Sequence, residues 1–211
     1  MQFLMSDLSA DDRYKLLTGA VTPRPIAWVT SLSSSGVVNA APYSFFNVVA
    51  ASPPLIVLGL MRRPDGSYKD TCRNIIESGE FVVNLVTRAD IDTMNLTSID
   101  APADRGEIEL AGIKTLASTV VSPPRIATSP VNLECRLFQR IDASEASTVV
   151  LGEVVAFHIA DDRVNADKHV DAPALDLIAR MHGRGWYATE PTLVQRARPS
   201  FATWSQRDSG G

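Results

Sequence analysis

The tripeptide Lys69-Asp70-Thr71 has the residue types of an anion-binding site. A helical pattern begins here, and the start of a helix presents unpaired N–H groups and a partial positive charge. Lys69 adds a full positive charge, so this point could hold a phosphate. Further donors that could close over the same point are the side chains of Arg62, Arg63 and Ser67. The alternative is that Asp70 or Thr71 only caps the helix while Lys69 is solvated.

A cluster of aromatic and amide side chains precedes this tripeptide, at residues 42–47 (PYSFFN). A flat heteroaromatic ring needs apolar walls and polar contacts at its edge. Phe45 or Phe46 could supply a wall, and Ser44 and Asn47 could supply polar contacts. The alternative is that both phenylalanines belong to the core and Asn47 only forms a turn.

Trp28 and Thr30 lie on the same face of a predicted strand, because strand side chains alternate between faces. Both could therefore face one cleft, although Trp28 alone is equally typical of a core residue. Over residues 24–71, small side chains, aromatics and one lysine follow in an order that suits a flat cofactor carrying a phosphate. We predict that this cofactor is FMN.

Other site chemistries lack their motifs. The sequence has no CxxC, HExxH or HxH spacing for a metal and no GxSxG for a hydrolase. It has no GxGxxG for a Rossmann dinucleotide site and no GxxxxGK[ST] for a nucleoside triphosphate. A pyridine nucleotide would therefore have to bind in an open cleft against the flavin. No acid–base catalytic group is predicted and no metal is expected.

Length and composition indicate one globular domain. The chain has 211 residues, of which 45% are hydrophobic and 21% charged. A formal net charge of −4 argues against a general nucleic-acid binder. The first residues lack a signal peptide and no 18-residue apolar run occurs, so a cytoplasmic protein with no membrane span is predicted. We expect a single domain over residues 1–197 and a flexible tail over residues 198–211.

Periodicity predicts many strands and few helices. Strands are predicted at residues 26–32, 37–44, 55–61, 81–86, 131–137 and 148–159. Helices are predicted at residues 6–18, 70–78, 87–98 and 173–182, with a short helix in the acidic segment 101–112. Residues 45–52 fit either a strand or a helical turn. Strands at short spacing favour a mainly β fold, an antiparallel β-barrel with added helices.

The motifs together resemble a known family. RPIAWVTSL, NAAPYSFFN, SPPL, KDTCRNI and GEFVVNLV are similar, in order and spacing, to the flavin reductase-like family of FMN-binding split barrels. GEVVAFHI and RMHGRGWY are similar to its closing strand and its C-terminal loop near the flavin. The resemblance covers most of residues 15–190. It implies a six-stranded antiparallel split barrel that forms a homodimer, with FMN near the subunit interface.

The resemblance also implies which residues bind the cofactor. Those expected to border the isoalloxazine ring and ribityl chain are Trp28, Val29, Thr30, Ser31, Ser44, Phe45, Phe46 and Asn47. Those expected near the phosphate are Arg62, Ser67, Lys69, Asp70 and Thr71. Those expected to approach the flavin from later in the chain, or from the partner subunit, are His158, Arg180 and Tyr187.

Three functions remain open from the sequence. The first is an oxidoreductase that transfers a hydride from NADH or NADPH to FMN, with reduced FMN serving an acceptor or a partner monooxygenase. The second is a flavin carrier or electron-transfer protein without turnover of a pyridine nucleotide. The third is a related split barrel that binds haem or another planar anion.

Overall fold

The structure is a computed structural model that describes residues 1–198 and 200. The helices are α1 (Ala10–Ala20), α2 (Asp70–Ser78), α3 (Ile91–Leu96) and α4 (Glu107–Leu110). The strands are β1 (Arg24–Pro25), β2 (Ala27–Leu32), β3 (Val38–Tyr43), β4 (Phe46–Ala51), β5 (Pro54–Met61), β6 (Glu80–Leu85), β7 (Thr115–Leu116), β8 (Arg125–Ile126), β9 (Val131–Ser144), β10 (Ser147–Ile159), β11 (Ala179–Arg180) and β12 (Tyr187–Ala188). Within the described part of the chain, no helix is long and apolar enough to span a membrane.

The main sheet has seven antiparallel strands in the order β3-β2-β6-β9-β10-β5-β4. Its two edge strands, β3 and β4, follow each other in the chain and are joined only by Ser44 and Phe45. The two edges therefore meet at this point, which curls the sheet into a barrel. The predicted mainly β antiparallel barrel is confirmed, with seven strands in its sheet where six were expected.

Strand β2 is buried on both faces. Ala27 and Val29 pack into the barrel interior with Leu58, Phe81 and other apolar residues. Trp28 points to the opposite side and packs into a second apolar cluster that α3 helps to cover. A strand buried on both sides holds its register firmly, so it is a rigid base for the neighbouring β3.

Two short sheets accompany the barrel. Strand β11 pairs with β1 on one side and β12 on the other, which brings a segment near the C-terminal end beside the start of the barrel. Strands β7 and β8 form the other pair. The β1-β11-β12 sheet matters for the site, because it places Arg180 and Tyr187.

The helix predicted at 173–182 is wrong. The segment forms one 3₁₀ turn at Pro173–Leu175, and Asp176 then adopts a left-handed conformation (φ 48°). Residues Ala179 and Arg180 pair as a strand with Pro25 and Arg24. Their apolar spacing resembled a helix because Leu175 and Ile178 are each buried in a different cluster.

Smaller differences concern element ends. Helix α1 begins after Ser9, whose hydroxyl accepts from the Asp12 N–H, and it continues to Ala20, two residues beyond its predicted end at residue 18. Residues 46–51 are a strand. Strand β9 extends to Ser144, beyond its predicted end at residue 137, and β10 begins at Ser147, so the turn between them is only two residues long. Of the acidic segment, only Glu107–Leu110 is helical.

Candidate functional site

The start of α2 lies at the edge of a small cavity. Lys69 is the N-cap residue in an extended conformation, and no described side chain caps the helix. The first N–H groups of α2 therefore remain available to an anion. The cavity volume is about 120 Å³, and Arg63, Lys69 and Thr71 are among its lining residues.

The charges at this cavity are paired within the chain. The Lys69 Nζ donates to Asp100 Oδ1 at 3.0 Å. The Arg63 guanidinium donates to Asp70 Oδ2 at 2.9 Å, and Arg73 also contacts the Asp70 carboxylate. The cations at the helix start thus already have carboxylate partners, and a bound anion would have to compete with Asp70 and Asp100 for Arg63 and Lys69.

Buried polar groups support the cavity wall. The Asn39 amide lies between Thr71 Oγ1 at 2.7 Å and Glu107 Oε2 at 3.1 Å, and both contacts are satisfied when its NH₂ faces Glu107. Glu107 Oε2 also accepts from the Ala40 N–H. Burial raises the pKa of Glu107, and burial also raises the pKa of the Tyr43 phenol well above its usual range. Tyr43 therefore stays a hydrogen-bond donor.

A larger cavity adjoins the first. Its volume is about 480 Å³, within the range typical of small-molecule sites. The two cavities share Pro42, Tyr43 and Ser98 as lining residues, so they form one continuous cleft. Ser44 and Tyr14 line the larger part. We call the two parts the anion end and the ring end.

The β11–β12 hairpin forms one wall of the ring end. Arg180 pairs with Tyr187 across the hairpin, and its guanidinium lies over the Tyr187 ring at 5.0 Å. The Arg180 Nη2 also donates to Gly183 O at 3.1 Å. The buried Arg24 holds this wall to α1, because it donates to the carbonyls of Thr18, Val21 and Met181.

Several predicted residues meet in this cleft. They are Lys69, Asp70 and Thr71 at the anion end and Ser44, Arg180 and Tyr187 at the ring end. These residues come from three distant parts of the sequence, and the cleft brings them together.

Other predicted residues do not line the cleft. The Trp28 indole N–H donates to Thr97 Oγ1 at 2.9 Å within the core, and Val29 lies inside the barrel. Thr30 donates to Pro124 O at 2.6 Å, and Ser31 accepts from Asn74 at 3.1 Å. These four side chains of β2 are all buried, and they pack or form hydrogen bonds within the chain.

Phe45, Phe46 and Asn47 also lie beside the cleft and not in its lining. The Phe45 ring lies 6.4 Å from that of Tyr14, which does line the ring end. Phe46 is in the barrel core, and with Asn47 it lines a separate apolar groove. Phe45 therefore supports the wall through Tyr14.

Arg62 and Ser67, which were predicted to lie near the phosphate, do not line the anion end. Arg62 donates to Asp142 Oδ1 at 2.6 Å and packs over the Tyr68 ring. The Ser67 N–H donates to Asp65 in an exposed turn. Arg63, next in sequence to Arg62, lines the cavity.

His158 lies away from the cleft of its own chain. Its Nε2 is 2.6 Å from Glu134 Oε1, and it lines a different cavity with Arg125 and Asn132. Glu134 is fully buried, which by itself would raise its pKa. Bonds from the N–H groups of residues 119–121, together with His158, hold the pKa of this carboxyl below its usual range.

The described residues include no group of three or more His, Cys, Asp or Glu side chains that could hold a metal ion. Cys72 and Cys135 are both free and buried.

Comparison with known proteins agrees with this geometry. The sequence profile of the flavin reductase like domain matches residues 19–178, which include both ends of the cleft apart from Tyr14 and the β11–β12 hairpin. The chain belongs to the flavin reductase-like family. The resemblance stated from the sequence motifs is thereby confirmed.

Solved structures similar to this flavin reductase-like chain share its fold. Nitrilotriacetate monooxygenase component B from Bacillus cereus has a TM-score of 0.88 and 37% identity, covering 93% of this chain and 98% of that one. The 2-nitrobenzoate 2-nitroreductase of Pseudomonas fluorescens has a TM-score of 0.86 and 36% identity, covering 95% and 98%. A split-barrel structure from Shewanella frigidimarina has a TM-score of 0.81 and 22% identity, covering 94% and 100%. The split-barrel fold is confirmed, and the family supports a flavin-dependent oxidoreductase in general.

Several residues that line the cleft were not predicted from the sequence. They are Tyr14, Asn39, Asn95, Ser98 and Asp100. Asn39 was part of the quoted NAAPYSFFN motif, so its amide could have been noticed. The others lie in helical or loop segments whose local pattern carries no sign of a ligand.

Proposed function

We propose that this chain binds FMN across the cleft and transfers a hydride to it from NADH or NADPH. The observation that carries the proposal is the continuity of the cavity at the start of α2, where Arg63 and Lys69 lie, with a larger cavity walled by Tyr14, Tyr187 and Arg180. A phosphorylated flavin has the same division into a charged end and a flat end. The residues present therefore fit the group.

In this proposal each end of the cleft has a separate task. Lys69, Arg63 and the N–H groups at the start of α2 bind the phosphate, with Thr71 as a further donor. Ser44 and Arg180 hold the polar edge of the ring, and Tyr187 contributes an apolar surface. When bound, FMN supplies the redox chemistry by accepting two electrons and a proton as hydride from a dihydronicotinamide.

The chain's own contribution is binding and orientation. Fixing two planar reactants in contact can lower a barrier by several kcal/mol, roughly 7–11 at the limit. No general acid or base is needed for the hydride step. The buried network around Asn39, Thr71 and Glu107 keeps the cleft wall rigid beneath the ligand.

The relatives support a role as the reductase part of a two-protein system or as a reductase of small molecules. One similar structure is a component of nitrilotriacetate monooxygenase, and another is a nitroreductase. We propose reduced FMN delivery to a partner monooxygenase or direct reduction of an acceptor. We also propose a homodimer and a cytoplasmic location.

The test is the absorbance spectrum of the purified protein, followed by identification of the released cofactor and assay of NADH and NADPH oxidation with added FMN. The proposal expects FMN uptake and a rate above the free-flavin background. FMN uptake without such a rate would favour a flavin carrier and contradict the reductase activity. A haem spectrum would contradict both.

A further inference from the structure

The ring end of the cleft has an unbalanced positive charge. The charged residues among those that line it are Arg180 and Arg184, and none of its described lining residues carries a carboxylate. The whole chain carries a formal net charge of −4, so this is a local feature and not the general character of the surface. Clefts lined by charge of one sign attract ligands of the other sign.

The two arginines differ in what they contact. Arg180 is engaged by the Tyr187 ring and by Gly183 O. Arg184 is exposed, and within residues 1–198 and 200 no carboxylate forms an ion pair with it. The guanidinium that remains available at the ring end is therefore that of Arg184.

The hairpin presents Arg184 at a defined place. The Met181 N–H donates to Trp186 O at 2.9 Å, which closes the loop at its base. Gly183 and Gly185, on either side of Arg184, have φ of 61° and 81°, a region that other residues rarely adopt. The closed hairpin and the two glycine conformations together place the tip of the loop, with Arg184, beside the cavity.

In the proposed function, the phosphate of FMN binds at the anion end. The β11–β12 hairpin lines only the ring end, and Tyr43 lines both ends. We propose that Arg184 is a specificity-determining residue that binds the carboxylate or phosphate of a second, planar co-substrate at the ring end. This inference rests on the proposed function. That anion belongs either to a pyridine-nucleotide donor or to an aromatic acid that accepts electrons. A guanidinium can bind either anion, because its paired N–H donors match the oxygens of a carboxylate and those of a phosphate.

The experiment uses the full chain loaded with FMN. Isothermal titration calorimetry measures the binding of two probes that carry an anionic group, NAD⁺ and 4-nitrobenzoate. It also measures their counterparts without that group, which are the 1-benzylnicotinamide cation and nitrobenzene. The variants are Arg184→Gln and Arg184→Lys. Arg13→Gln is the matched control, because Arg13 is exposed on α1 outside the cleft lining and its loss changes the net charge equally.

Arg184→Gln should weaken at least one anionic probe by about tenfold, as expected for loss of one charge-assisted hydrogen bond. Both counterparts should bind as before, and Arg184→Lys should restore part of the loss. A selective effect on NAD⁺ identifies the donor, and a parallel rise in the KM for NADH but not for 1-benzyl-1,4-dihydronicotinamide would agree. A selective effect on 4-nitrobenzoate identifies the acceptor.

The inference is overturned if Arg184→Gln leaves both anionic probes within about twofold of wild type, since loss of the proposed contact is expected to cost about tenfold. Equal weakening of charged probes and counterparts overturns it as well. In both cases intact FMN binding by the wild type leaves the proposed function standing. A wild type that binds no FMN overturns the proposed function and the inference together.

Discussion

The Nζ of Lys69 lies 3.0 Å from Oδ1 of Asp100, at the point where α2 begins and where the proposed phosphate would bind. The Asp100 carboxylate thus forms an ion pair with Lys69, the residue proposed to bind the phosphate of FMN. Lys69 lowers the pKa of Asp100, so the carboxylate stays charged at neutral pH and competes for the same donor. The Asp100 side chain is 78% exposed, which lets it move aside.

Lys69→Ala should weaken FMN by roughly 1–3 kcal/mol and riboflavin much less, because only FMN carries the phosphate. Fluorescence titration with each flavin measures the difference. Lys114→Ala is the control, since Lys114 is exposed and outside both parts of the cleft. Equal losses for the two flavins would show that Lys69 does not bind the phosphate.

Asp100→Asn should have the opposite effect and strengthen FMN binding. Freeing an exposed lysine from its partner is expected to be worth roughly 0.2–1 kcal/mol, and less at high salt. Riboflavin should bind as in the wild type. The control is Asp104→Asn, in the same exposed segment and outside the anion end; if it strengthens FMN as much as Asp100→Asn, the effect is general charge and not competition.

Glu107→Gln should stabilise the protein at neutral pH. Burial raises the pKa of Glu107 in the folded state, so deprotonation costs stability. The cost is absent below the ordinary carboxyl pKa of 4.5, grows as the pH rises from there to the raised value, and stays constant above it. Glutamine can still accept from the Ala40 N–H without the charge.

Urea unfolding at a series of pH values measures this effect. The advantage of Glu107→Gln should be near zero at the acid end and about 1 kcal/mol at neutral pH, the scale of ordinary single substitutions. Glu109→Gln, an exposed change on the same helix α4, should show no such pattern. A variant less stable than wild type at neutral pH would mean that the charged carboxylate is favourable there.

Gly152→Ala should destabilise the barrel by roughly 1–3 kcal/mol, because a Cβ at this position would lie 2.4 Å from Phe81 Cζ. Phe81 is fully buried in the barrel core, where other packed side chains surround it. Gly19→Ala is the matched control, since nothing lies within 4 Å of its Cβ position near the end of α1. Thermal unfolding should show a lower Tm for the first and an equal or higher Tm for the second; unchanged stability for Gly152→Ala would contradict the packing.

Local sequence patterns predicted the barrel well and part of the site. Strands such as β5 and β6 have short, mainly apolar runs rich in β-branched residues, which favour a buried sheet. Lys69 immediately precedes the helix whose start it marks. Each of these features is decided within about ten residues. For the same reason, the pattern of Trp28 and Thr30 indicated one shared face but not that α3 covers that face and fills it.

The features that the sequence did not predict depend on contacts between residues that are far apart in the chain. Residues 173–182 have helical spacing, but their partners Arg24 and Pro25 lie about 150 positions earlier and draw them into a sheet. Asn95 and Ser98 reach the cleft only because α3 packs beside β3. His158 shows the converse, since its buried partner Glu134 lies on the adjacent strand β9 and holds it away from the cleft.

The most direct measurement is a titration of the purified, flavin-free chain with FMN, followed by the change in the visible flavin spectrum. The account predicts saturable binding of one FMN per chain, weakened by Lys69→Ala. A spectrum that stays that of free flavin at every protein concentration would contradict the account.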